Sequence, residues 1–127
     1  MKNFNTNVNF FIGLQSQMKI LHWQTIGSGS YAQHNAFAGF YDTMDELIDN
    51  FVEQSMGRYG RFQLDDNSNT IELMNYRDVD LKKFIEVLRN SLISMSSEID
   101  DTDTNLLNLR DEMLGEVNKL NYLLTLE

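Results

Sequence analysis

The chain contains two histidines, His22 and His34, followed by a series of five acids, Asp42, Asp45, Glu46, Asp49 and Glu53. Imidazole nitrogens and carboxylate oxygens are metal-ligating groups, so the chemistry such residues could do is cation binding. At roughly 100° per residue all five acids fall on one face of a helix, about 150° from the centre of that helix's apolar stripe. They therefore point away from the bundle they belong to, and any chemistry they do takes place at a surface or between chains. Di-iron centres inside a helical bundle use inward Glu residues and Glu-x-x-His pairs. No Glu-x-x-His occurs in this sequence, which argues against an internal centre. Ordinary structural roles also fit these residues. His22 lines up with an apolar stripe at a helix end, where it could be a hydrogen-bonded core histidine or a cap for the last carbonyls. His34 could be a surface histidine, and Asp42, Asp45 and Glu46 a solvated face that draws in cations.

Four segments with helical periodicity must position these groups, and no stretch alternates like a strand. The first helix is expected over residues 4–24, with Phe4, Val8, Phe11, Leu14, Met18 and Leu21 as its apolar stripe. Gly27-Ser28-Gly29-Ser30 makes a short turn, and Ser30 with Gln33 has the form of a capping box that starts a second helix at Tyr31. That helix runs to about Met56 and buries Phe37, Phe40, Tyr41, Met44, Leu47, Ile48, Phe51 and Val52 before Gly57 and Gly60 end it. Residues 57–77 form one long connection, in which 70–76 could make a short extra helix. A third helix over about 79–98 buries Leu81, Phe84, Ile85, Leu88, Leu92 and Met95. The turn at 100–104 caps a fourth, over about 105–126, which buries Leu106, Leu109, Met113, Val117, Leu120 and Leu124. Two short links and one long one predict two antiparallel hairpins joined by a crossover of about 20 residues, long enough to climb a bundle of roughly 30 Å. That is the ferritin-like arrangement of an all-α four-helix bundle.

Composition agrees with one such domain over residues 1–127. The chain is 42% apolar with seven glycines and no proline, so little interrupts long helices. No apolar run approaches the roughly 18 to 20 residues of a membrane span, and the first residues lack a secretory cleavage pattern. The absence of cysteine excludes disulfides and thiolate metal sites and is compatible with a reducing, cytoplasmic location. Ten basic residues scattered among nineteen acids, for a net charge of −9, argue against a DNA partner and for cations. A second apolar strip on the first helix (Ile12, Ile20, Trp23) and another on the fourth (Leu107, Leu114) predict association into oligomers.

His22-Trp23 at the end of one helix, His34 twelve residues on, and Asp49-x-x-x-Glu53 further along the next together resemble the ferroxidase motif of the Dps mini-ferritins. The similarity extends to Thr104-Asn105-Leu106-Leu107 and the apolar register after it, and is specific within residues 22–53. The resemblance implies a homo-oligomer built on two-fold dimers, in the family a hollow shell of twelve. It implies a metal site shared across the dimer, where His22 and His34 of one chain meet Asp49 and Glu53 of the other. The metal would be iron, Fe(II) oxidised by hydrogen peroxide or dioxygen, with hard carboxylates stabilising the Fe(III) product. Trp23 would be the aromatic beside the iron, passing electrons or packing in the interface. The chain departs from the family at Ala38, where an acid is usual, and has neither the basic N-terminal extension of DNA-binding members nor their length. A ferritin-like module without turnover, used for assembly, is the other expectation.

Overall fold

Apolar residues spaced by threes and fours give each helix one face to bury, and four such faces close on a common core. The computed structural model describes residues 1–126. Among them are four α-helices and no strand: α1 Phe4–Gln24, α2 Ser30–Tyr59, α3 Leu81–Ser94 and α4 Thr104–Leu123. Phe11, Met18, Leu21, Phe37, Met44, Phe51, Leu92, Met113, Val117 and Leu120 are all but inaccessible to solvent. α2 packs on α1 and α4, and α3 packs on α4. None of the helices is long and apolar enough to cross a membrane.

Contacts at the helix ends establish the directions. The Tyr59 hydroxyl donates to Asp103, and Arg58 Nε lies 3.5 Å from the same carboxylate, so the end of α2 meets the start of α4. That bond holds the Tyr59 phenol above its ordinary pKa. At the same end of the bundle, Asn7 Nδ2 donates to Glu98 Oε2 at 2.7 Å, tying the start of α1 to the segment that follows α3. α1 and α4 therefore run one way, and α2 and α3 the other. Residues 60–80 climb between the hairpins alongside α1, whose side chains hold them rung by rung. Asn5 Oδ1 accepts from Gln63 N–H, Asn9 Nδ2 donates to the carbonyls of Ser68 and Thr70, and Gln17 bonds both the N–H and the C=O of Met74.

Those rungs explain where the structure departs from the sequence reading. The extra helix expected over 70–76 does not form, because its backbone groups are bonded to α1 instead. One 3-10 turn, Tyr76–Asp78, follows. The capping box at Ser30 does not form either. Gly29 caps α2 in the left-handed conformation at φ 77°, Ser30 already lies inside the helix, and Gln33 turns its side chain to Tyr76. α2 passes through Gly57 to Tyr59, and α3 gives way to a 3-10 turn at Met95–Ser97. The Asp80 carboxylate caps α3 by accepting from Lys83 N–H. Leu107 and Leu114, expected at an oligomer interface, are half-buried against the chain's own core, whereas Ile12 and Trp23 are 47% and 68% exposed.

Candidate functional site

His22 lies in the last turn of α1 and His34 in the second turn of α2. Gly27 and Gly29, with φ of 96° and 77°, reverse the chain between them in conformations that a Cβ would strain. The hairpin places the two imidazoles face to face, 3.8 Å between centroids and 21° between planes. Each ring bonds the other residue's backbone: His22 Nδ1 is 2.9 Å from the His34 carbonyl, and His34 Nδ1 is 2.8 Å from the His22 carbonyl. A carbonyl can only accept, so both Nδ1 atoms carry the proton, and in the neutral ring each Nε2 keeps a lone pair. Metal-binding histidines are commonly held in this way, one nitrogen donating to a backbone carbonyl and the other left for the metal. His22 does not cap its own helix, as the sequence allowed. His34 reaches the His22 carbonyl from across the turn with a bond shorter than the 3.5 Å one that the Thr25 hydroxyl donates to it.

Stacking also limits what the pair can hold. A metal bound to one Nε2 at roughly 2.1 Å lies near the plane of that ring. It is then well off the plane of the other ring, so the two lone pairs do not converge on one ion. The pair suits one metal per histidine.

A cavity of about 190 Å³ opens beside His22, lined by Met18, Lys19, Ala38, Tyr41 and Asp42. Ala38, one turn past His34, leaves this space open. The Lys19 ammonium sits 4.3 Å over the Tyr41 ring and 5.7 Å from the Trp23 ring. Its positive charge beside Ala38 opposes a cation there, whereas Asp42 brings a carboxylate to the same cavity. Lys19 was not singled out from the sequence, and Tyr41 was read there only as part of the buried stripe of α2. The available signal was Lys19 at three and four residues before His22 and Trp23, the spacing of one helix face.

Asp49 and Glu53 are exposed and stand one turn apart on α2, and Asp45, one turn before Asp49, and its neighbour Glu46 are exposed on the same face. None of these acids forms an ion pair among the described residues. Asp49 lies fifteen positions beyond His34 on the same helix, about 22 Å along its axis. One chain thus holds the imidazoles at one end of α2 and the acids toward the other. The described residues contain no cluster of three or more His, Cys, Asp or Glu able to hold a metal within a single chain.

The model of one protein family, described as a family of unknown function (DUF5856), matches residues 22–124, a span that starts at the first histidine and includes all five acids. No curated protein and no solved structure matches the chain.

Proposed function

The chain belongs to the DUF5856 family of unknown function, and we propose that it acts as a mini-ferritin, binding and oxidising Fe(II) at a site completed only between two subunits. The observation that carries this reading is the reciprocal histidine pair, which leaves two Nε2 lone pairs side by side at the turn end of the first hairpin. Imidazole alone does not stabilise Fe(III), and hard oxygen donors must come from elsewhere. The free carboxylates nearest in kind, Asp49 and Glu53, are too far along α2 to serve their own histidines. They are exposed and suitably spaced to serve those of a second copy. Antiparallel hairpins joined by a crossover that climbs beside α1 support a ferritin-like topology.

In this reading iron is the substrate. His22 holds the first Fe(II) together with Asp49 and Glu53 of the partner subunit, and His34 offers a second position. Peroxide oxidation then balances as two Fe(II), one hydrogen peroxide and two protons giving two Fe(III) and two waters. Exposed Trp23, next in sequence to His22, lies where it could relay an electron or be covered by the partner. Ile12, Trp23, Ile26 and Tyr31 are all exposed, and this also favours a second reading, an assembly module without turnover.

The test that separates the two is metal content and turnover. Protein purified without chelator is assayed for bound iron and for Fe(II) oxidation with peroxide. A metal-free protein that leaves the oxidation rate at background sinks the enzyme reading. Solution mass at micromolar concentration is expected to show two-fold dimers or larger assemblies, and a clean monomer leaves the shared site without its other half.

The open space at Ala38 sets the second position. We expect one well-occupied metal per site and a second that is faint, because Lys19 faces the gap and no acid stands at residue 38. Ala38→Asp should raise the second occupancy in a metal titration followed by calorimetry. Two equally tight ions in the unsubstituted protein would show that position 38 matters little.

A further inference from the structure

We propose that Tyr76, far from the histidines in sequence, is a positioning residue that locks the register of the imidazole pair. Apart from the two exchanged histidine bonds and one from Ser30 N–H to the Gly27 carbonyl, the turn joining α1 to α2 has little to hold it. It contains two left-handed glycines, α2 begins without a side-chain cap, and Ile26 at its tip is exposed. Yet the stacked pair needs the last turn of α1 and the first turns of α2 in one register. Sliding either helix by one residue moves a ring about 1.5 Å along the axis and turns it by roughly 100°.

The end of the crossover supplies the constraint. Gln24, two residues after His22, accepts from Tyr76 N–H at 2.8 Å and donates to Asn75 Oδ1 at 3.1 Å. The Tyr76 hydroxyl donates to Gln33 Oε1 at 2.5 Å, and Gln33 is the residue before His34. The other side-chain bonds holding the crossover, from Asn5, Asn9 and Gln17, all come from α1. Among the described residues, the Tyr76 phenol makes the one side-chain hydrogen bond from the crossover to α2. Tyr76 is itself half-buried against the core, so the clamp is anchored to the bundle. One residue therefore ties the α1 end to the α2 start, at the two positions that flank the pair.

The geometric role stands on the metal-free protein, whereas its consequence for Fe(II) rests on the reading proposed above. In the metal-free chain the two bonded imidazole Nδ1–H protons should give slowly exchanging NMR signals. Tyr76→Phe, which keeps the ring, and Gln33→Leu should broaden both and weaken anaerobic Fe(II) binding roughly tenfold. Gln33→Glu, whose carboxylate still accepts from the phenol, should keep the signals. Asn9→Ala, which frees a lower rung of the crossover, should leave signals and affinity unchanged. Sharp, protected Nδ1–H signals in Tyr76→Phe overturn the proposal, as does an equal loss in Asn9→Ala, which would mark a general loosening. If the unsubstituted protein binds no Fe(II) while the signals respond as described, the iron reading falls and the positioning role stands.

Discussion

His22→Ala is expected to slow the initial rate of peroxide-driven Fe(II) oxidation by roughly a hundredfold or more, and the double substitution Asp49→Ala with Glu53→Ala to do the same. If the proposed reading holds, the two variants remove opposite halves of a site shared between two chains. His22→Ala deletes one Nε2 lone pair and also frees the His34 carbonyl and one face of the His34 ring. The acid pair is exposed, so its removal deletes oxygen donors without touching the core. Far-UV circular dichroism should keep the helical signal in both, because His22 is only half-buried and lies in a terminal turn. Mixing the two variants adds a sharper check. A mixed dimer joins one intact set of histidines to one intact set of acids, so partial activity should return after subunit exchange. Unchanged oxidation in both variants retires the enzyme reading, and two inactive variants that fail to complement after demonstrated subunit exchange overturn the shared site.

Phe51→Ala should cost about 3–5 kcal/mol of stability. Phe51 shares the turn of α2 that carries Asp49 and Glu53, but it points the opposite way, is 0% exposed, and meets Phe11 of α1 edge to face at 5.5 Å between centroids. Truncation leaves a cavity between the two helices of the first hairpin and removes an aromatic pair. In urea the midpoint should fall with little change in slope, since the surface exposed on unfolding stays nearly the same. Glu53→Ala, two residues on and exposed, should stay within about 0.5 kcal/mol of the parent. A loss below about 1 kcal/mol for Phe51→Ala would mean that the hairpin interface is looser than these contacts require.

The contrast between Phe51 and Glu53 is one that the sequence shows without any coordinates. A period of three and four residues states which face is buried, and the stripes read from it contain most of the core: Val8, Phe11, Leu14, Met18 and Leu21 on α1, with Phe37, Phe40, Met44 and Phe51 on α2. The bounds of α1 were equally legible, because residues 4–24 keep one apolar register until the glycines of the turn. The proximity of His22 and His34 followed from a turn too short to separate them. These are local properties, set by the fixed rise and twist of the helix, and for that reason a string of residues suffices.

What the tertiary structure decided is non-local. Asn9, Gln17 and Gln24 read as polar residues on a helix, with nothing to say that their amides hold the backbone of residues 68–76. Once those backbone groups bond to α1, they are not free to close a helix of their own, and the helix expected there is lost. Gln33 looked like half of a capping box because its spacing from Ser30 is right. The phenol of Tyr76, brought in by the crossover, takes its side chain instead. The histidines show the same division. Their spacing across a short turn puts both at one end of the hairpin, but the stack, the exchanged Nδ1–carbonyl bonds and the two lone pairs that do not converge depend on how α1 and α2 lie in register. Helical periodicity fixes angles within an element to a few degrees, whereas register between elements is set by side chains that meet only after the chain has folded.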